Sequence, residues 1–408
     1  MKAVAEAPQA RPLMPVEEAL AQLLALAEAA PIKDIETVSL ADAEGRVLAS
    51  DLVASLDLPP WPNSAMDGYA LRLADCQGEP LSVSQRIFAG HAPEPLLPGT
   101  CARIFTGAPL PAGADCVEMQ ENTEVLEDGR VRFLEPLRLD QNVRPQGQET
   151  RKGEQVMAAG TRLGPIELGL AATLGHAQLE VVRRVRVAVL STGDELVEPG
   201  LPLGPGQIYN SNRRLLVSWL QRLGCEVRDM GIVPDDLART RQCLASLGDV
   251  DLILSTGGVS VGEADYLGAA LREAGELALW KLAIKPGKPL TFGHYQDVPV
   301  IGLPGNPAST LVTFGLLTRP YLLRRQGVAE VTPLRFDVPA GFDWPKAGSR
   351  REYLRARIDN GRATIYKNQS SGVLRSAAWA EGLVEVREGS TPQQGDSVPF
   401  IPLSELLG

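Results

Sequence analysis

The chain has 408 residues, a formal net charge of −10, 44% apolar residues and 22% charged residues. This length predicts two to four domains rather than one core, and an acidic chain disfavours general binding to nucleic acid or to a membrane surface. Five cysteines without a C-x-x-C pair, three scattered histidines and the lack of an apolar stretch of about 20 residues argue against disulfides, a zinc site and a membrane span, and fit a cytoplasmic protein.

The first predicted element is a helix over residues 15–30, where acidic residues follow a proline and leucines recur on one face. Residues 57–142 have a different texture, because prolines precede Asn63 and short apolar runs are broken by glycine and proline. The string LEDGRVRF predicts a hairpin with Asp128 and Gly129 in its turn. We therefore predict a small β-rich unit in this stretch.

From residue 185 onward, short β-branched runs alternate with helical patterns. Strands are expected near 185–190, 226–233, 251–254, 278–283, 290–293 and 299–303, with helices at 213–223, 237–247, 266–274 and after Asn306. This alternation indicates a largely parallel, doubly wound α/β sheet covered on both faces. From about residue 333 the short strands return, which predicts a C-terminal β domain or β-barrel. The fold class is thus predicted as multidomain α/β and β.

Two loops rich in hydroxyl groups and glycine follow strands of that sheet, at the edge where doubly wound folds bind ligands. Small side chains let backbone N–H groups approach a phosphate, and the adjacent acids are suited to a divalent cation. Each loop taken alone also fits an ordinary strand-to-loop turn. The residues concerned are Ser191, Thr192, Gly193, Asp194 and Glu195 in the first loop, and Ser255, Thr256, Gly257, Gly258 and Asp265 in the second.

A third loop carries Lys281, Lys285 and Lys288 around two prolines. In an acidic chain, a stiff basic loop at the ligand edge indicates an anion such as phosphate, pyrophosphate or an oxyanion. The alternative is a set of solvated surface lysines.

A fourth loop contains Pro304, Gly305 and Asn306 before the last helix of the sheet. Asn306 is predicted to cap that helix and Pro307 to be its first residue, which also makes an anion-attracting helix terminus. A cap without a ligand is equally compatible. The loop NSAMDGY, which contains Asp67, is read either as a site loop or as a capped turn.

Seven strings, in this order along nearly the whole chain, resemble the MoeA/gephyrin E-domain family of molybdopterin molybdenumtransferases. They are PPWPNSAMDGYA, FTGAPLPAGAD, STGDELVEPG, GQIYNSNR, STGGVSVGEADY, KLAIKPGKPLTFG and GLPGNPAST. The resemblance implies insertion of molybdate into adenylylated molybdopterin with release of AMP. It also implies a homodimer, with Mg²⁺ as cofactor and no protein nucleophile.

The same resemblance implies four domains: residues 1–56 plus 143–180, an inserted β-rich arm at 57–142, an α/β domain at 181–327 and a C-terminal β-barrel at 328–408. It places the site between the α/β domain of one subunit and the arm region of its partner. A molybdopterin adenylyltransferase and proteins that mature molybdoenzymes are the implied partners.

Site residues are carried over by motif. Asp67 and Thr106 resemble the partner subunit's contribution, and Glu195, Asp235 and Asp265 resemble acids that bind Mg²⁺ or orient the pterin. The remaining positions resemble residues that hold anionic groups or line the pocket, namely Lys281, Lys285, Lys288, Ser191, Thr192, Gly193, Thr256, Gly257, Gly258, Pro304, Gly305, Asn306, Ser370, Ser371, and Arg351 or Arg355. Of these, Asp67, Glu195, Asp265, Lys281 and Lys285 are expected to be catalytic, and Asp67, Glu195 and Asp265 to be metal ligands.

Three rival readings stay open from the sequence. An adenylyltransferase shares the central motifs but is usually a single domain, and a nucleotide pyrophosphatase with the same central fold would lack NSAMDGYA. A non-catalytic scaffold belongs to a different functional class. Asp67, Asp265 and the lysine loop favour an enzyme.

Overall fold

The computed structural model describes residues 13–257, 266–275 and 277–408. They form two compact units: a larger unit of residues 13–49, 160–164 and 180–408, and a smaller unit of residues 50–159 and 165–179. The helices of the described chain are α1 (Val16–Ala29), α2 (Pro165–Thr173), α3 (Ser211–Arg222), α4 (Leu237–Ala245), α5 (Tyr266–Ala274), α6 (Pro307–Thr313), α7 (Arg319–Arg325), α8 (Leu374–Trp379) and α9 (Leu403–Leu407). None of these helices has the length and apolar character needed to cross a membrane.

The strands fall into several small sheets and two large ones. In the first half of the chain they are β1 (Ile35–Ser39), β2 (Leu52–Val53), β3 (Asn63–Ser64), β4 (Gly68–Leu71), β5 (Ser82–Ile87), β6 (Thr100–Ile104), β7 (Cys116–Met119), β8 (Thr123–Val125), β9 (Val131–Phe133), β10 (Val143–Arg144), β11 (Gln155–Met157), β12 (Gln178–Val182) and β13 (Arg186–Thr192). In the second half they are β14 (Leu196–Val197), β15 (Ile208–Tyr209), β16 (Glu226–Val233), β17 (Leu252–Thr256), β18 (Leu277–Lys281), β19 (Ile284–Lys285), β20 (Pro289–Tyr295), β21 (Val298–Leu303), β22 (Phe336–Pro339), β23 (Arg351–Asp359), β24 (Arg362–Ile365), β25 (Gly382–Val386) and β26 (Ser397–Pro402).

The smaller unit is built around a four-stranded sheet in the order β5-β6-β4-β7. Gly68 begins β4 where β7 approaches so closely that a Cβ atom would lie 1.8 Å from the carbonyl oxygen of Glu118, so only glycine fits. The thiols of Cys101 and Cys116 are buried in this sheet's core. The hairpin of β8 and β9, with Gly129 at a positive φ of 82° in the turn, confirms the predicted hairpin.

The larger unit contains a six-stranded sheet in the order β16-β13-β17-β21-β20-β18. The first four strands are parallel, as predicted. The last two strands, β20 and β18, form an edge of the sheet, and β20 pairs antiparallel with both β21 and β18. The prediction did not give the direction of these strands. The sheet is therefore mixed, with parallel strands at its centre.

Both faces of this sheet are buried, because successive residues of its strands enter two different cores. Val187 and Val189 join one core, whereas Ala188 and Leu190 join the other. In the first core, α3 contributes Trp219, whose ring lies 4.4 Å from that of Phe314 between centroids. The thiol of Cys225 is buried there as well. This confirms the predicted cover on both faces.

Helical structure after Asn306 is interrupted once. Helix α6 is followed by a π-helical turn over Phe314–Thr318 and then by α7, so the predicted long helix is three consecutive segments. Pro307 is the first residue of α6, as predicted. Asn306 occupies the N-cap position, but its side chain makes no capping hydrogen bond. The predicted N-cap position of Asn306 is therefore confirmed, although the cap is made without its side chain.

The C-terminal part of the larger unit is a second six-stranded sheet. Its strands follow the order β19-β23-β25-β26-β22, and β24 pairs with β23. The predicted return to short strands after residue 333 is confirmed. Strand β19 belongs to the lysine loop yet pairs in parallel with β23, so this sheet reaches the loop directly.

Candidate functional site

Strand register brings four predicted loops to one edge of the central sheet. Thr256 pairs with Ser191 on one side and with Leu303 on the other, so β13, β17 and β21 end at the same level. On the antiparallel strands, Lys281 ends β18 opposite Pro289, the first residue of β20. The lysine loop therefore leaves the sheet at the edge where the other loops leave it.

A cavity of about 570 Å³ lies at this edge, within the larger unit. Six of its lining residues were predicted from the sequence: Thr192, Glu195, Thr256, Gly257, Gly305 and Asn306. Ser191 lies just beneath, fully buried, and its hydroxyl is 3.0 Å from that of Thr256. The sequence missed the other lining residues, namely Leu196, Ile208, Tyr209, Asn210, Ser211, Asn212, Pro307 and Gly372.

Two glycines are required by the backbone of the cavity wall. Gly257 has a φ of 80°, and a Cβ atom there would lie 2.8 Å from the carbonyl oxygen of Thr192. Gly193 has a φ of 141°, and a Cβ atom would meet the carboxylate of Glu195 at 2.4 Å. Side chains at these positions would be strained and would clash with the wall.

Three buried polar atoms on residues of the wall have no hydrogen-bond partner within the described part of the chain: Oγ1 of Thr192, Nδ2 of Asn210 and Oδ1 of Asn212. The amide orientations are fixed, because Oδ1 of Asn210 accepts from the backbone N–H of Arg213 at 3.2 Å and Nδ2 of Asn212 donates to the carbonyl of Gly305 at 2.7 Å. Buried polar groups are normally paired, so unpaired ones on residues that line a cavity are a reason to look for a ligand there. The string GQIYNSNR was the sequence signal for this pair.

Carboxylates gather beside the cavity. The backbone N–H of Asp194 donates to Asp235 and that of Asp235 donates back to Asp194. Burial, followed by the charges of Asp194 and Glu195, raises the pKa of the Asp235 carboxyl. Within the described ranges, no three His, Cys, Asp or Glu side chains are arranged to hold a metal ion. Asp265 and Gly258, predicted for this region, lie outside the described residues.

The three predicted lysines are exposed and do not line the cavity. Lys285 forms an ion pair with the buried carboxylate of Glu352, with 2.9 Å between Nζ and Oε2. Glu352 was not predicted, because its partner strand is distant in the chain and no local pattern shows the pairing.

The segment before α8 reaches the cavity through Gly372. The carbonyl of Ser371 accepts from the backbone N–H of Ala308 in α6, at 2.9 Å. The buried carbonyl of Pro304 accepts from the hydroxyl of Thr310 at 2.6 Å. Ser371 and Pro304 therefore support the cavity through their backbones rather than by lining it.

The two arginines left open by the sequence have different surroundings. The guanidinium of Arg351 pairs with Glu17, Glu385 and Glu388 and does not line the cavity. The side chain of Arg355 is fully buried and donates to the hydroxyl of Ser376 and to the carbonyl of Ser370. Burial lowers the pKa of Arg355 to about 10. Arg355 is thus the arginine tied to the segment that reaches the cavity.

In the smaller unit, Asp67 and Thr106 are in direct contact. Oδ1 of Asp67 accepts from the backbone N–H of Thr106 at 2.7 Å and from its hydroxyl at 2.8 Å. The backbone hydrogen bond from Thr106, followed by the hydroxyl, lowers the pKa of the Asp67 carboxyl. This carboxylate is exposed and ionised at neutral pH, as a cation or substrate contact requires.

Three family models match the chain in succession. They are described as the MoeA N-terminal region (domain I and II) over residues 14–175, a probable molybdopterin binding domain over residues 188–324, and the MoeA C-terminal region (domain IV) over residues 337–403.

Curated relatives match over most of their length. A protein of Haemophilus influenzae named molybdopterin molybdenumtransferase is 39% identical over 91% of this chain and 95% of its own. One of the same name from Synechococcus elongatus is 40% identical over 86% and 91%. A crystal structure of a molybdopterin biosynthesis MoeA protein from Pyrococcus horikoshii OT3 matches with a TM-score of 0.81 and 29% identity, covering 96% of this chain and 100% of that one.

Proposed function

Since the chain belongs to the MoeA family of molybdopterin molybdenumtransferases, we propose that it inserts molybdate into adenylylated molybdopterin and releases AMP. The near-complete match to transferases of that name carries this proposal. The cavity supports it, because residues that carry unpartnered polar atoms among the described parts of the chain line a pocket at the ligand edge of an α/β sheet. It accounts for all the loops singled out in the sequence.

The chemistry suits the residues at this edge. Molybdate and a phosphoanhydride are both anions, so their approach must be helped by positive charge. Lys281, Lys285 and Lys288 supply that charge and hold the reactants close together, which lowers the entropic cost of reaction. Each dithiolene sulfur that bonds to molybdenum displaces one molybdate oxygen, which takes up protons and leaves as water. Water also cleaves the phosphoanhydride and releases AMP, so no protein nucleophile is needed.

Oxygen ligands suited to Mg²⁺ come from the acids. We assign Glu195 and Asp265 to the metal, with Asp67 of the partner subunit, and Asp235 to the pterin. Burial, followed by the charges of Asp194 and Glu195, raises the pKa of the Asp235 carboxyl, and a donor or a cation beside it would offset both effects. Bound Mg²⁺ would neutralise charge on the phosphates. Thr106 would fix Asp67 through its two hydrogen bonds.

The remaining predicted residues would bind the substrate around the cavity. The walls are assigned to Ser191, Thr192, Gly193, Thr256, Gly257 and Gly258, and the α6 side to Pro304, Gly305, Asn306 and Ser371. Arg351 is kept as the weaker candidate beside Arg355. The contact of Arg355 with the Ser370 carbonyl favours Arg355.

We further propose the family's assembly: four domains with the predicted boundaries, a C-terminal β-barrel and a cytoplasmic homodimer that works with an adenylyltransferase and with molybdoenzyme-maturation proteins. An isolated bridge between Ala340, next to β22, and Ala363 in β24 supports barrel closure, because those strands are otherwise on opposite sides of the sheet order.

The deciding experiment measures AMP release from adenylylated molybdopterin and Mg²⁺, with and without molybdate. Molybdate-dependent release, with molybdenum on the pterin, supports the proposal. Release that ignores molybdate would indicate a pyrophosphatase, and binding without release would leave an adenylyltransferase or a scaffold. Asp265→Ala should abolish release without changing the oligomeric state, whereas a scaffold would be unaffected in both.

A further inference from the structure

Glu352 has a buried carboxylate that forms an ion pair with the lysine loop. Its side chain is 5% exposed, and its Oε2 lies 2.9 Å from Nζ of Lys285. A buried carboxylate is unfavourable unless a cation or hydrogen bonds compensate it. In the described parts of the chain, Lys285 is the one cation within 4.0 Å of it. The buried charge of Glu352 is therefore compensated by this lysine.

The place of Glu352 is fixed by its strand. It lies in β23, paired with Lys285 of β19 on one side and with Val386 of β25 on the other. A Cβ atom at position 348 would lie 2.6 Å from Oε1 of Glu352, so Gly348 leaves the room that the carboxylate occupies. The carboxylate is held by the sheet, and the lysine is held by the carboxylate.

We propose that Glu352 is a positioning residue that fixes the ammonium of Lys285 for an oxyanion at the proposed site; the inference rests on the proposed function. A lysine side chain is flexible, and its ammonium has three donors. One donor is directed at Glu352, while the side chain stays 50% exposed, so the others can reach a tetrahedral oxyanion such as molybdate.

The other two lysines of the loop differ. Neither Lys281 nor Lys288 has a carboxylate within 4.0 Å in the described residues, and both are exposed. Among the described residues, the loop thus presents one ammonium paired with a carboxylate and two without such a partner. An anchored donor loses less conformational entropy when it binds, so it contributes more to anion affinity.

An effect of charge alone and a positioning role predict opposite changes in molybdate affinity for the substitution Glu352→Gln. Glu352 is negative and lies beside an anion site, so removing its charge by Glu352→Gln strengthens molybdate binding if charge alone matters. If Glu352 positions Lys285, the same near-isosteric change weakens binding, because the ammonium loses its anchor.

The test measures the dissociation constant of molybdate alone on the full-length chain by calorimetry. Glu352→Gln is expected to weaken binding roughly tenfold, and Glu352→Asp, which keeps the charge, less than that. Lys285→Met should weaken binding by at least as much. In the double variant the two losses should not multiply, because both remove one interaction. Equal or tighter binding by Glu352→Gln, multiplied losses, or no binding by the wild-type chain would overturn the proposal.

Glu273→Gln is the matched control, since it removes the carboxylate of a surface ion pair with Arg241, away from the lysine loop. It should leave the molybdate dissociation constant unchanged, and melting temperatures check that all variants fold. If the wild-type chain binds molybdate but releases no AMP, the proposed function is wrong, independently of the positioning role of Glu352. If AMP release is normal and Glu352→Gln binds molybdate normally, the positioning role alone fails.

Discussion

At the scale of single residues, Gly257 joins backbone geometry to the cavity wall. Its φ of 80° and the 2.8 Å approach of a Cβ atom to the Thr192 carbonyl both exclude a side chain. We expect Gly257→Ala to lower the free energy of unfolding by about 1–3 kcal/mol. Urea denaturation of the wild-type chain and the variant measures this difference in the free energy of unfolding. Gly305→Ala is the control, because a Cβ atom there meets nothing within 4 Å; an equal loss in both variants would contradict the argument.

The raised pKa of Asp235 predicts that the stability of the folded chain depends on pH. Its pKa is raised in the folded chain, so the folded state binds a proton more tightly than the unfolded state does. The contribution of Asp235 to stability is therefore full below its ordinary pKa of 3.8 and is lost as the pH rises through the raised value. Asp235→Asn does not titrate and can still accept from Asp194. Its melting temperature relative to wild type should rise over that pH range, and a constant difference would refute the assignment.

At the scale of elements, α3 depends on one tryptophan. The indole N–H of Trp219 donates to the carbonyl of Leu406 in α9 at 2.7 Å, and its ring packs on Phe314. Trp219→Phe keeps most of the packing but leaves that carbonyl unpaired, at a cost of about 1–3 kcal/mol. Trp219→Ala also opens a cavity and should cost about 3–5 kcal/mol. Equal losses in urea unfolding would mean that the hydrogen bond decides.

Local patterns predicted individual elements well. Strand β16 was expected at residues 226–233 and spans Glu226–Val233, and helix α3, expected at 213–223, spans Ser211–Arg222. The reversed direction of β20, which pairs antiparallel with both β18 and β21, was not predicted, because hydrophobic period does not encode direction. The pairing of β19 with β23 joins residues far apart in the chain, so no local signal shows it.

The same limit applies to the cavity. Loops after the strands were found because glycine and hydroxyl residues follow apolar runs. Asn210 and Asn212 lie in the string GQIYNSNR but were not assigned to the site from the sequence, and Asn210 caps α3. Only the three-dimensional structure shows that its other amide atom has no partner among the described residues.

At the scale of the whole molecule, a chain with net charge −10 places its basic loop where an anion is proposed to bind. The cavity walls, Asp194, Glu195, Asp235 and the lysine loop come from segments spread over residues 191–372, all within the larger unit. Their assembly depends on the central sheet, so damage to its cores should affect all parts of the site together.

The buried thiols make it possible to follow the opening of each unit separately. Burial raises the pKa values of Cys101 and Cys116 in the smaller unit, and of Cys225 in the larger unit, to about 12. A thiol-specific reagent reacts with the thiolate, so these sites should stay unlabelled until the surrounding unit opens. Mass spectrometry of labelled peptides over time, in mild denaturant, would then time the opening of the two units separately. Labelling at the same rate in both would mean that the chain opens as one cooperative body.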